Sequence, residues 1–213
     1  MKKQISEKEI IDALNTRYAV KIFDKNKKIS NEELNTILES GRLSPSSLGL
    51  EPWNFIVVND LKTREAIYEY SKQPKVLDAS HLIILTYKTN LVEVIKERLE
   101  RTAKIQNQKL EELESYKKFL EDSTKNKTEI ELQSWLKAQT YIPLGIMTLT
   151  ASLLGIDNCP MEGFQNEKID EILNLKDKNL KSVTMLALGQ RGEDPNALKP
   201  KIRKNFEEAI TIV

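Results

Sequence analysis

The sequence predicts a domain that mixes several helices with a few buried strands, and two repeated patterns lead to this prediction. Three polar pairs with capping-box spacing precede runs of helical apolar periodicity: Ser6 with Glu9, Ser30 with Glu33, and Thr128 with Glu131. Three short apolar runs have the composition of buried strands: 55–58, 82–85 and 182–188. With 213 residues, we expect one domain over 1–213.

Charge and composition narrow the possible classes of function. Lys and Arg total 33 against 32 Asp and Glu, so the net charge of +1 gives no reason to expect nucleic acid as a partner. The longest mostly apolar run, 141–156, is shorter than the roughly 20 residues that span a bilayer, so we expect no membrane span. Cys159 is the single cysteine and the N-terminal residues lack an apolar signal core, which together predict a cytoplasmic protein.

An alternating segment follows the first helix, which should end near Asn15. In extended chain Arg17, Ala19 and Lys21 would share one face. Such cations are compatible with an ordinary solvated edge strand. They are equally compatible with two positive donors aimed at one anionic ligand.

The second helix leads into a loop that is joined directly to a strand. Pro45 and Pro52 exclude a helix across 44–52, and Gly49 permits positive φ. The apolar run 55–58 then has to be buried. A polar loop fixed to a core strand is a common place for a binding site, although a plain connection would have the same composition.

The middle of the chain combines a capped helix, a polar segment and a charged stretch. Asp60 should cap the third helix, and the polar segment 72–81 leads into the second strand. His81 is the only histidine, and at a strand entrance it suits a hydrogen-bonded structural role better than general-base or metal chemistry.

The stretch 92–123 is rich in Glu, Lys and Leu, which predicts a helical peripheral arm or, alternatively, an interaction helix.

The next helix should run from Thr128 to Leu154, with a kink at Pro143 and Gly155 just past its end. A second Pro/Gly loop is expected at 159–164, and the third strand should end at Gly189. The tail 209–213 resembles one more short strand.

The sequence contains none of the common phosphate-binding, metal-binding or nucleophile motifs. Glycine-rich phosphate loops, Cys or His clusters with metal spacing, and the G-x-S-x-G nucleophile motif are all missing, so we expect no metal. What remains is an anion site made from distant pieces. Arg17, Lys201 and Arg203 could hold a phosphate through charge-assisted hydrogen bonds, while Lys21 and Lys75 could meet a second electron-rich group.

Five segments of the chain, taken in order, carry a resemblance to a known family. They are Arg-Tyr-Ala-Val-Lys at 17–21, Ser-Pro-Ser-Ser at 44–47 with Pro-Trp-Asn-Phe at 52–55, Leu-Asp-Ala-Ser-His at 77–81, Pro-Met-Glu-Gly-Phe at 160–164, and Lys-Ile-Arg at 201–203. In this order they resemble the oxygen-insensitive nitroreductases, flavoenzymes that bind FMN and take hydride from NADH or NADPH. The resemblance covers nearly the whole chain, from about Arg17 onward.

The resemblance implies a role for each matching position. The FMN phosphate would be held by Arg17, Lys201 and Arg203, and Lys21 would approach the N1 and O2 edge of the flavin ring. The backbone at Glu162 would reach flavin N5, where Gly163 leaves room. Tyr18, Ala19 and Pro160 are further implied cofactor-binding positions. Lys72, Gln73 and Lys75 are candidates for contact with the ring or the nicotinamide cofactor. Pro45, Ser46 and Ser47 would contact a flavin bound mainly to the other subunit. Tyr116 and Phe119 are candidates for the aromatic walls of the substrate pocket.

The resemblance also implies a fold and an activity. The fold would be α+β, with a mostly antiparallel sheet flanked by helices, in an intertwined homodimer whose C-terminal strand, near 210–213, joins the partner's sheet. Hydride would pass from NAD(P)H through FMN to a small-molecule oxidant, such as a nitroaromatic or a quinone, by a ping-pong mechanism, with no catalytic side chain. The alternatives are a dehalogenase or enoate reductase of the same fold, or a non-catalytic partner-binding protein. Glu51, Gly49 and Pro143 depart from the family pattern.

Overall fold

A four-stranded antiparallel sheet with helices on both of its faces organises the chain in a computed structural model that describes residues 5–213. Residues 1–4, which begin the N-terminal segment considered above for its lack of a signal core, lie outside the described residues. Over the part described, no helix combines the length and apolar character needed to cross a membrane.

The elements follow one another in the order of the chain. The strands are β1 Trp53–Val58, β2 His81–Lys88, β3 Asp157–Met161 and β4 Leu180–Gly189. The helices are α1 Glu7–Thr16, α2 Asn31–Arg42, α3 Leu61–Ser71, α4 Lys75–Asp78, α5 Leu91–Gln106, α6 Glu114–Asp122, α7 Glu129–Gln139, α8 Tyr141–Leu153, α9 Asn166–Ile172 and α10 Phe206–Ala209. Short 3-10 turns occupy Ser47–Gly49, Leu110–Leu113, Lys176–Lys178 and Pro195–Leu198.

Local sequence signals fix where several helices begin and end. All three predicted capping boxes form, before α1, α2 and α7. Asp60 accepts a hydrogen bond from the Thr63 backbone N–H at 2.8 Å and so caps α3, as predicted. Gly155 has a φ of +71° just past α8, the left-handed conformation expected there. These predictions hold because caps depend only on residues that are neighbours in sequence.

The sheet has the strand order β1-β2-β4-β3, and every neighbouring pair is antiparallel, which confirms the expected α+β class. Sequence analysis missed β3, because it placed 159–164 in a loop. Pro160 is tolerated within β3 since this strand lies at the edge of the sheet, where a missing N–H need not break the ladder.

Alternate residues of the two central strands face two different cores. On one side Leu82 and Ile84 of β2 pack with residues of α3 and α9. On the other side Ile83 and Leu85 pack with residues of α2 and α8. Both faces of β2 are therefore buried, which explains its continuous apolar sequence.

The helix predicted from Thr128 to Leu154 is two helices, and this corrects the expected kink. α7 ends at Gln139 and α8 begins at Tyr141, so Pro143 lies in the first turn of a new helix. Backbone N–H groups in a first turn have no intrahelical acceptor, so proline costs nothing there and produces no kink.

Neither the segment 17–23 nor the tail 210–213 forms a strand of the sheet within the described chain. The segment 17–23 makes only two isolated bridges, Ala19 with Asn158 and Phe23 with Arg191, instead of a ladder. At the other end α10 extends to Ala209, and the described residues 210–213 pair with no strand of the same chain. The backbone of Ile210 is extended, with φ −126° and ψ 127°, and the side chain of Ile212 is 87% exposed.

The stretch 92–123 is helical, as predicted, and consists of a pair of helices, α5 and α6, joined through the 3-10 turn Leu110–Leu113. Val94, Ile95 and Leu99 of α5 pack with Leu120 of α6 in a separate apolar cluster. Leu50, from the loop before β1, is also part of this cluster and is only 1% exposed. The loop and the two helices are thus held together by apolar contact.

A buried arginine ties the end of β1 to the start of β2. The Arg64 side chain donates to the carbonyl oxygens of Val58, Ala79 and Ser80 at 2.7, 2.7 and 3.1 Å. We expect Arg64→Met to lower the free energy of unfolding by about 3 kcal/mol, because three buried acceptors lose a charged donor. Urea unfolding measures this change. Arg42→Met, at an exposed arginine, is the matched control, and an equal small effect of both variants would contradict the prediction.

Candidate functional site

Cations from the two ends of the chain lie next to one another. Arg17 follows the end of α1, and Lys201 Nζ donates to the Leu14 carbonyl oxygen of the same helix at 3.3 Å. Burial lowers the pKa of Arg17, and the charge of Arg203 lowers it further. Burial likewise lowers the pKa of Lys201, with Arg17 and Arg203 adding to the effect. The structure therefore brings together the three residues predicted to bind phosphate.

A buried carboxylate, Asp194, fixes the backbone beside these cations. Its side chain accepts hydrogen bonds from the Tyr18 hydroxyl at 3.0 Å, the Lys21 backbone N–H at 2.8 Å and the Asn196 backbone N–H at 2.9 Å. Burial opposes its ionisation, but these hydrogen bonds outweigh it and lower the pKa of Asp194 below its usual value. Burial and the bond to Asp194 raise the pKa of Tyr18 to about 12.

Arg191 connects the same region to the start of β3. Its backbone N–H and its Nε donate to the two carboxylate oxygens of Asp157, both at 2.8 Å. Its guanidinium also lies 4.8 Å from the centre of the Tyr18 ring. The segment after β4 is therefore fixed against both β3 and the segment that follows α1.

Three of the predicted cations lie close enough to the buried thiol of Cys159 to affect it electrostatically. Burial raises the pKa of Cys159, while the charges of Lys75, Lys21 and Arg17 act in the opposite direction. Since these three residues come from different parts of the chain, their shared effect on one sulfur places them around the same part of β3. Lys21 itself is exposed and Lys75 is half-buried.

The turn after β3 is held by two side chains from elsewhere in the fold. Gln73 Nε2 donates to the Gly163 carbonyl oxygen at 2.9 Å, and a Cβ added to Gly163 would lie 3.3 Å from that nitrogen. The Tyr141 hydroxyl donates to Glu162 Oε1 at 2.7 Å. Burial and this bond raise the pKa of Tyr141 to about 12. Gln73 therefore contacts the turn that carries Glu162 and Gly163.

Other predicted residues lie apart from these groups. The Lys72 ammonium pairs with Glu69 at 2.6 Å and lies 5.7 Å from the Tyr68 ring centre, so it points along α3. The loop of Pro45, Ser46 and Ser47 shares no hydrogen bond with the cations within the described part of this chain.

The loop instead contacts α6 and α7. Gln139 Oε1 accepts from the Ser47 backbone N–H at 2.8 Å, and the Tyr116 hydroxyl donates to the Leu48 carbonyl oxygen at 3.4 Å. Tyr116 and Phe119 stack with ring centres 6.5 Å apart, and Phe119 is 55% exposed. An aromatic pair therefore stands beside the loop that carries Ser46 and Ser47.

Sequence reasoning missed several residues that hold these segments in place, namely Asp194, Arg191, Gln139 and Tyr141. The Asp-Pro pair at 194–195 is a typical helix start, and Asp194 does cap the 3-10 turn Pro195–Leu198, so that signal was present. Nothing in the sequence around Gln139 indicates that its side chain reaches a loop 92 residues away.

The protein is therefore of the α+β class, and Arg17, Lys201 and Arg203, which are far apart in sequence, act electrostatically on one another. A family model described as "Nitroreductase family" matches residues 14–190. The chain belongs to the nitroreductase family.

Three similar proteins from staphylococci carry the name "Putative NAD(P)H nitroreductase". The one from Staphylococcus epidermidis is 38% identical over 212 residues, covering 95% of this chain and 96% of that protein. The Staphylococcus haemolyticus protein is 39% identical, with 96% and 97% covered. A Staphylococcus aureus protein is 40% identical, with 94% of each covered.

Solved structures show the same fold at low sequence identity. A Bacillus subtilis protein described as a "putative nitroreductase" superposes with a TM-score of 0.85 at 21% identity, covering 98% of this chain and all of the other. A "putative nitroreductase in complex with FMN" from Exiguobacterium sibiricum gives 0.82 at 19% identity, with 100% of each chain covered.

We expect Asp194→Asn to destabilise the protein most at neutral pH, because an amide cannot accept all the hydrogen bonds that the carboxylate accepts. The pKa of Asp194 is lowered on folding, so its contribution is complete above the unfolded-state value of about 3.9 and is lost as pH falls below it. Urea unfolding at pH 7 and pH 3 should show a larger difference from the native protein at pH 7. Asp12→Asn, at an exposed carboxylate of α1, is the control. A difference independent of pH would contradict the prediction.

Proposed function

We propose that this protein is an FMN-dependent oxidoreductase that transfers hydride from NADH or NADPH to nitroaromatics, quinones or similar acceptors. The observation that carries the proposal is the approach of Arg17, Lys201 and Arg203. Family membership and the names of the staphylococcal relatives support the same activity. The FMN complex of a protein with this fold supports the cofactor.

The three cations suit a phosphate monoester because they repel one another. Burial lowers the pKa values of Arg17 and Lys201, and the charge of Arg203 lowers both further. A phosphate carries close to two negative charges and would accept charge-assisted hydrogen bonds from two guanidinium groups and an ammonium. Its binding would therefore relieve an unfavourable interaction already present in the folded chain.

The second group of residues would surround the flavin ring. Lys21, with its backbone fixed by Asp194, would place a positive charge at the N1 and O2 edge, and a cation there favours the reduced ring. Lys75 lies around the same part of β3. The turn of Glu162 and Gly163, held by Gln73, would present its backbone to N5.

The chemistry would be the cofactor's own, since bound FMN accepts hydride at N5 and later gives it up. The chain would supply binding and orientation, and Tyr116 and Phe119 would form part of the pocket wall for the acceptor. Because donor and acceptor would use the same pocket in turn, the reaction would follow a ping-pong scheme.

We also propose that the working protein is a homodimer. Pro45, Ser46 and Ser47 lie apart from the cations of their own chain and would contact the flavin bound mainly to the partner. The exposed residues 210–213, which begin with the extended Ile210, would add to the partner's sheet, for which β1 has a free edge within the described chain. Each site would then require two copies of the chain.

The direct test is the absorbance of the purified protein during anaerobic addition of NADH or NADPH. We expect a yellow chromophore that is bleached by at least one donor and restored by nitrofurazone or menadione. Initial rates with varied donor and acceptor should give parallel double-reciprocal lines. A colourless protein that does not oxidise either donor would contradict the proposal, and turnover of an enoate alone would assign a different chemistry to the same fold.

We expect Arg203→Ala to weaken FMN binding by about 1.5–3 kcal/mol, because one charge-assisted contact to phosphate is lost. Titration of flavin-free protein, followed by quenching of FMN fluorescence, measures the change. Lys204→Ala removes the same charge from the neighbouring residue, which has no assigned role, and should leave the affinity within about twofold of the native protein. Equal effects of the two variants would show that phosphate is bound elsewhere.

A further inference from the structure

The loop before β1 has an unusual backbone for its sequence. Leu48 and Glu51 have φ values of 57° and 50°, in the left-handed region that residues with a side chain rarely adopt. Gly49 between them has a φ of 64°, which glycine accepts without cost. Two strained residues in one short turn persist only where surrounding contacts hold them, and such strain often occurs at functional sites.

Several contacts hold this turn against the rest of the chain. The Leu50 side chain is buried in the cluster formed by α5 and α6. Ser46 Oγ accepts a hydrogen bond from the Glu51 backbone N–H at 2.8 Å, which closes the turn on itself. Glu51 is therefore one hydrogen bond away from Ser46, a residue of the proposed cofactor loop.

The carboxylate of Glu51 faces two arginines of α5. Arg101 Nη2 lies 3.3 Å from one carboxylate oxygen and Arg98 Nη1 lies 4.0 Å from the other. The Arg98 guanidinium also lies beneath the turn, since a Cβ added to Gly49 would be 3.0 Å from its Nη2. The three side chains are only 30–38% exposed, so solvent screens their interaction less than on an open surface.

Charge, rather than shape, is what Glu51 contributes here. Glutamine at the same position would have the same size and the same backbone strain, but its single acceptor oxygen carries no charge to share between two guanidinium groups. Without that charge Arg98 and Arg101 would repel each other beneath the turn. The Arg101 Nε is buried without a hydrogen-bond partner among the described residues, and Glu51 supplies the carboxylate that pairs with the Nη2 of the same side chain.

We propose that Glu51 is a positioning residue, whose carboxylate, held by Arg98 and Arg101, fixes the Ser46–Glu51 turn for contact with the cofactor. This inference rests on the proposed function, which assigns Pro45, Ser46 and Ser47 to the flavin. Through this turn the α5 helix sets the affinity of the site for FMN. An ion pair that only stabilises the fold would leave that affinity unchanged.

The test compares Glu51→Gln with a control on the same helix. Glu100→Gln removes the carboxylate that pairs with Lys96 at 3.8 Å on α5, away from the turn. We expect Glu51→Gln to raise the FMN dissociation constant about fivefold and Glu100→Gln to leave it unchanged, with similar thermal midpoints of the flavin-free variants. Glu51→Asn should match Glu51→Gln, because asparagine is neutral and adopts the left-handed conformation readily.

A double-variant cycle shows whether the pair acts as a unit. Arg101→Gln should weaken FMN binding by a similar factor, and Glu51→Gln with Arg101→Gln should weaken it no more than about tenfold, well below the product of the single effects. Native FMN affinity in both neutral Glu51 variants would overturn the inference and leave the proposed function intact. Failure of the native protein to bind FMN would overturn both.

Discussion

The convergence of Arg17, Lys201 and Arg203, which are far apart in sequence, is the constraint on which the proposed site depends. Like charges stay close in a folded protein only when the rest of the structure forces them together or a ligand compensates them. Here burial and the neighbouring cations lower the pKa values of Arg17 and Lys201. An anion bound among them, as proposed, would offset both the burial and the mutual repulsion of these cations.

Hydrogen bonds between segments that are distant in sequence hold these cations close to one another. Asp194 links the segment after β4 to the Lys21 backbone, and Arg191 links that segment to Asp157 at the start of β3. Because β3 pairs with β4 in the sheet, the segments that carry these cations are both attached to the same edge of the sheet. The cation cluster is therefore a consequence of sheet order as much as of the residues that form it.

Local features of the fold could be predicted from the sequence, whereas contacts between distant segments could not. The capping boxes and the apolar runs of β2 and β4 are encoded within a few residues. β3 was missed because it contains Asp157, Asn158 and Pro160 and its strand character comes from pairing with β4. The residue types alone suggested that Arg17, Lys201 and Arg203 hold one anion, and the family resemblance gave this grouping its main support. The hydrogen bond of Gln139 with the Ser47 loop had no signal of either kind.

The most direct test of a phosphate site built from both ends of the chain compares FMN with riboflavin, which has the same ring and no phosphate. Both dissociation constants can be measured on flavin-free protein by fluorescence. If Arg17, Lys201 and Arg203 hold the phosphate, FMN should bind about a hundredfold more tightly, since several charge-assisted contacts depend on that group. Equal affinities for the two flavins would contradict the account.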